Sequence, residues 1–170
     1  MEIYAATIPQ FIKVLESMEK WLDKAIEHAK KKNFDPNVYL QARLAPDQYP
    51  LVRQVQATCD AAKAFAARIA GKEPPSHPDT ESTIEELRGR LHKCASYLKS
   101  VAPADFAGGE TRLVPLPFRP GQGIRGANYA VALTIPNLYF HAVTAYAILR
   151  HNGVDLGKAD YLGSLPLEAV

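Results

Sequence analysis

Pro136-Asn137-Leu138-Tyr139-Phe140-His141-Ala142-Val143-Thr144-Ala145-Tyr146-Ala147-Ile148-Leu149-Arg150-His151-Asn152-Gly153 reads as one helix with both ends encoded. Pro136 suits a first turn, where a missing backbone N–H costs nothing. Gly153 stands where a left-handed residue closes a helix, and Arg150 and His151 occupy the last turn, at the negative end of the helix dipole. Asn137 and His141 are four residues apart, so both side chains project from one face. That face is the first place to look for a site. Leu138, Tyr139, Phe140, Ala142, Val143 and Ala145 to Leu149 leave hardly any polar side. A helix apolar all round must be covered on every side. A second subunit covers it most simply, so a two-fold homodimer with this helix in its interface is expected, the alternative being that residues 102–135 fold back over the helix and complete its burial within one chain.

Upstream, three segments carry apolar residues at alternating steps of three and four. They are Ile8, Phe11, Leu15, Met18, Leu22, Ala25, Ala29; then Val52, Val55, Cys59, Ala62, Ala66, Ile69; then Ile84, Leu87, Leu91, Cys94, Leu98, Val101. This is the spacing of helices packed side by side in a left-handed bundle. Pro36 closes the first segment, Pro46 and Pro50 bracket the start of the second, and Gly71 with Pro74-Pro75 ends it. Ser82/Glu85 or Thr83/Glu86 each fits a capping box before the third. The expected fold is all-α, a four-helix bundle.

Residues 102–135 form a long crossover between the third and fourth helices. Two β-prone runs, Arg112 to Phe118 and Tyr129 to Ile135, flank a glycine-rich stretch, which predicts a short irregular hairpin. Gly121-Gln122-Gly123-Ile124-Arg125-Gly126 matches the dinucleotide fingerprint in form. The fingerprint requires a strand before the loop and a helix after it, whereas prolines precede this one and a β-prone run follows. It is read as a hairpin turn.

With 170 residues the chain is of single-domain size, and 1–170 is taken as one domain. The net charge is +2, and the basic run Lys30-Lys31-Lys32 ends the first helix, where the dipole explains it, so no nucleic-acid partner is expected. No apolar stretch reads as long enough to span a bilayer, and Met1-Glu2-Ile3-Tyr4 lacks a signal-peptide pattern, so no membrane partner and a cytoplasmic location are expected. Cys59 and Cys94 take core positions as free thiols. His28, His77 and His92 read as solvent-facing or capping, and His151 as a dipole residue. His141 is different: it shares its face with Asn137 and is flanked by Tyr139 and Phe140. Gln56 and Asp60 are the polar residues nearest the second helix's core stripe. Ligand-pocket candidates are therefore Asn137, His141, Gln56, Asp60 and Tyr139.

The stretch from Pro136 to Gly153, Leu40-Gln41-Ala42-Arg43-Leu44-Ala45-Pro46-Asp47, Arg53-Gln54-Val55-Gln56, Cys59-Asp60 and Gly157 to Gly163 closely resemble a family of unknown function in the DinB/YfiT-like superfamily. The resemblance spans essentially the whole chain and implies a four-helix bundle with a crossover before the last helix. Characterised DinB-like proteins hold zinc or nickel through three histidines, one on the second helix and two in His-x-x-x-His-x-Gly-Gln before Leu-Arg-x-x-Gly. Aligned on Leu149-Arg150-His151-Asn152-Gly153, His141 matches the second histidine, Asn137 replaces the first and Thr144 stands at the glutamine. The second helix offers no histidine near Val55 to Asp60. One imidazole and an amide make a poor zinc site. The expectation is a metal-free pocket binding a small ligand near His141. The alternatives are a metal-dependent transferase or hydrolase using zinc or nickel on His141, Asp60 and Cys59, and a non-catalytic interaction protein with the pocket filled by Tyr139, Tyr129 and Phe140.

Overall fold

The three-and-four rhythm of residues 8–29 becomes the inner face of α1 (Ile3–Lys32), with Ile8, Phe11, Leu15, Met18, Leu22, Ala25 and Ala29 all buried. The chain is described here by a computed structural model covering residues 2–169. Asn33 ends α1 in the left-handed conformation at φ 58°, and the Phe34 N–H closes back on the Ala29 carbonyl at 3.1 Å. A 3-10 segment, Pro36–Gln41, leads towards α2 (Leu51–Ile69). Then comes α3 (Ile84–Lys99), opened by the Thr83/Glu86 capping box, the second of the two pairings that the sequence allowed. α3 and α5 (Ile135–His151) each pack on both α1 and α2, and α1 and α2 touch one another. The core lies between them, around Trp21, Phe11, Phe65, Met18 and the leucines of α1 and α3. The structure is mostly helical with one small sheet.

The sheet corrects the expected hairpin. β1 (Leu113–Pro115) pairs antiparallel with β2 (Gly123–Arg125), Val114 opposite Ile124, so the second strand is the glycine-rich stretch itself. Tyr129 to Ile135 is not a strand. α4 (Gly126–Asn128) runs into a π-helical segment, Tyr129–Thr134, and directly into α5. Pro136 does lie in the first turn of α5, but the helical chain begins ten residues earlier. The proline ring has no N–H for the Ala132 carbonyl and crowds it. The Ile135 N–H bonds instead to Ala130, five residues back, so the widened turn absorbs the proline. Burial overrides the β propensity of this run: Tyr129, Ala130, Thr134 and Leu138 are buried at helical spacing, and the Tyr129 ring stacks on Phe65 at 5.9 Å.

The helical stretch Gly126–His151 is 26 residues long and apolar enough to cross a membrane by length and composition, which revises the expectation drawn from a helix starting at Pro136. Its inner face is packed against α2 and α1. A helix does leave the glycine fingerprint after all, yet its first amides are already used. The Gly126 N–H bonds to Arg112 O at 2.9 Å and the Ala127 N–H to Glu110 O at 3.0 Å, which leaves neither for a phosphate. The glycines serve close packing. A Cβ on Gly126 would lie 1.9 Å from the Gly109 carbonyl oxygen, where the hairpin meets the end of α2. Gly126→Ala is therefore expected to cost about 1–3 kcal/mol of stability through overpacking against backbone, measured by chemical denaturation.

Candidate functional site

Leu51, Gln54, Thr58 and Phe65 form a buried stripe on α2 beside its main core stripe. From it the Gln54 amide reaches α5. The His141 Nδ1–H donates to Gln54 Oε1 at 2.7 Å, and Gln54 Nε2 donates to the Tyr49 carbonyl at 3.0 Å. The second bond orients the amide, and an amide oxygen only accepts, so Nδ1 carries the ring hydrogen and Nε2 the lone pair. The Tyr49 ring stacks on the imidazole at 6.4 Å and 15°, while Phe140 meets it edge-on at 5.2 Å. Arg53 lies over the Tyr49 ring, 5.7 Å from its centroid. His141 is 9% exposed. Its Nε2 has no hydrogen-bond partner among the described residues and is not among the fully enclosed unpartnered atoms, so it keeps a foothold on the surface. Burial, and then the Arg53 charge, pull its pKa below the ordinary histidine value of 6.5. The group is a neutral imidazole held in one tautomer.

The other candidate residues take separate places. Asn137 is exposed one turn before His141 on the same helical face. Tyr139 is half-buried, with its hydroxyl against the Gln10 side chain. Gln56 faces away from α5: it accepts from Arg53 at 3.1 Å and donates to Glu81 at 2.8 Å. Asp60 is held by Arg90 and Lys63, each at 2.9 Å. Cys59 is sealed in the core, where the Cys94 thiol donates to its carbonyl at 3.4 Å, and both cysteines are free. The neighbouring Cys94 side chain and burial push the Cys59 thiol well above its usual pKa, away from the thiolate that a metal needs. Among the described residues no three His, Cys, Asp or Glu side chains converge at metal-binding distance. One imidazole facing a glutamine amide does not fit a zinc or nickel centre.

The structure thus joins His141 to Gln54, Tyr49 and Phe140 and keeps it apart from Gln56, Asp60 and Cys59. Gln54 was missed in the sequence because the main core stripe was followed alone. Its signal is the spacing Leu51-x-x-Gln54-x-x-x-Thr58, which marks a second buried face. His28 and His77 also differ from their reading as solvent-facing or capping: both are partly buried, His28 with Nδ1 2.5 Å from the Tyr39 hydroxyl and the Phe34 ring edge-on, and His77 with an enclosed Nδ1. His92 and His151 are exposed.

A family model described as a domain of unknown function, DUF1993, matches residues 3–162, and the chain belongs to that family. It is also similar to the crystal structure of a DinB family member protein from Shewanella denitrificans, with 45% sequence identity. That match covers 98% of this chain and 95% of the other, at a TM-score of 0.94. No curated protein matches the chain.

Two measurements probe the centre. Gln54→Glu places a carboxylate on the Nδ1–H and is expected to raise the His141 pKa above 6.5, read from the ring-proton shift in an NMR titration. His141→Ala removes a buried bond and leaves a cavity, at an expected cost of about 1–3 kcal/mol in denaturant unfolding. The pH dependence follows from the depressed pKa. The unfolded chain binds that proton more readily, so the His141 contribution is present above pH about 6.5 and is lost as pH falls below it. His77, also depressed by burial, acts with the same sign, and His141→Gln is expected to flatten the slope in part.

Proposed function

We propose that this chain is a metal-free member of its family, built on a bundle of the four long helices with the small hairpin beside it. In it an oriented imidazole takes the place of a metal centre and binds a small polar ligand. The observation that carries this reading is the 2.7 Å bond from the His141 Nδ1–H to Gln54 Oε1. It occupies the α2 side of the centre with an amide and commits Nε2 to accepting. A neutral Nε2 suits a ligand that presents a hydroxyl, an amide N–H or an ammonium group. Tyr49 and Phe140 offer flat apolar contact beside it, and exposed Asn137 adds a second polar group on the same face. The reading as a transferase or hydrolase with an atypical centre gains no support from Asp60 or Cys59, which are engaged elsewhere. The two buried free thiols suit a reducing cytoplasm.

Protein purified without a histidine tag is expected to contain zinc and nickel well below one equivalent per chain by elemental analysis. One tightly bound equivalent lost on His141→Ala would refute the metal-free reading. Titration with a panel of small alcohols, amides and amines is expected to move the His141 Nε2 resonance. An unmoved resonance across the panel would count against ligand binding there.

A further inference from the structure

The rod of α4, the π segment and α5 carries no Asp, Glu, Lys or Arg between Arg125 and Arg150. Ala127, Val131, Pro136, Phe140 and Val143 are exposed along one side of it, and the ridge continues over half-buried Ala147 to exposed Arg150 at the far end. Val131 is 62% exposed, Phe140 57% and Val143 46%. Beside its first half lies a groove of about 210 Å³ walled by Ile3, Ala6, Ala130, Val131 and Ile135, with Glu110 at its edge. Glu110 is fixed to the start of the rod, since its carbonyl accepts from the Ala127 N–H at 3.0 Å. Glu110 therefore marks one end of the ridge and Arg150 the other. Neither has an ion-pair partner among the described residues.

We propose that this ridge is the interface of a homodimer in which two rods lie antiparallel about a two-fold axis, Glu110 of each copy meeting Arg150 of the other. The charge pattern selects the occupant and its direction. A surface without charge for the length of the rod meets its own copy with no like-charge penalty. A parallel arrangement would set Glu110 beside Glu110 and Arg150 beside Arg150, whereas the antiparallel one pairs opposite signs twice by symmetry. A rod of 26 residues is about 39 Å long. A shallow crossing near 20° keeps its ends within side-chain reach, while a crossing near 50° would splay them apart. Exposed Asn128 and Asn137 flank the ridge. Their amides would go unpaired in hydrocarbon but bond readily across a wet protein interface, which favours a second copy over a lipid surface. Phe140 sits near the middle of the ridge and against the His141 ring, so the second copy also closes the rim of that centre. The assembly stands on the ridge and its end charges alone, whatever His141 binds.

Sedimentation velocity across the micromolar range tests it. The expected mass is twice 18.7 kDa. Val143→Glu, at an already exposed position, is expected to give a monomer with an unchanged circular dichroism spectrum, and Val131→Lys the same. Glu110→Arg and Arg150→Glu are each expected to weaken dimerisation about tenfold, and the double variant to restore it. A wild-type monomer at every concentration overturns the proposal, and so does a dimer indifferent to both Val143→Glu and Val131→Lys. A double variant no better than its parents overturns the antiparallel pairing. A monomer that sediments with phosphatidylcholine vesicles overturns it in favour of a bilayer surface.

Discussion

The buried guanidinium of Arg90 constrains most of what surrounds it. At 4% exposure on α3, it reaches Asp60 on α2 and Asp79 in the preceding loop, each at 2.9 Å, and Glu81 at 3.1 Å. A charge withdrawn from water is tolerated only when closely paired, and the penalty otherwise is several kcal/mol. Arg90 therefore draws three carboxylates to itself, with the Pro78 carbonyl, and ties the loop before α3 to both helices. Lys63, Arg53 and Gln56 are drawn in behind them. The face of α2 carrying Gln56, Asp60 and Lys63 is thereby committed to α3.

What remains for α5 is the opposite face of α2, with Leu51, Gln54, Thr58 and Phe65. It carries no carboxylate, and the side chain that meets His141 is neutral. A carboxylate against the imidazole would raise its pKa; here burial, and then the Arg53 charge, lower it, and the neutral Gln54 amide does not oppose them. The division of α2 into one ionic and one neutral face thus determines the chemistry available at the His141 centre.

Helix content and the inner faces of α1 and α3 were legible in the sequence because burial there follows one regular period, and the Thr83 cap and the Gly153 terminus carry their own local signals. At Gly153, φ is 88° and the Val154 N–H closes on the Leu149 carbonyl at 3.1 Å. Two features resisted reading for physical reasons. Tyr129 to Ile135 has strand-like side chains, but its conformation is imposed by packing on Phe65 and Arg68, contacts that no local pattern reveals. The residues joined at His141 come from a loop, α2 and α5, and α2 bears two polar faces. Proximity to the core stripe alone could not tell Gln54 from Gln56.

The wide turn at Tyr129–Thr134 has a consequence for inheritance as well as for shape. A π segment holds about one residue more than the α-turns beside it, so everything upstream is rotated by roughly 100° relative to a regular helix. The orientation of the β1–β2 hairpin around the rod, and the fit of Gly126 on Gly109, are therefore set by chain length. A lineage that lost a single residue here would keep every side chain type and still swing the hairpin off the end of α2. Substitutions at its exposed positions, Val131 and Ala132, leave that geometry alone, whereas an insertion or deletion anywhere in the segment does not.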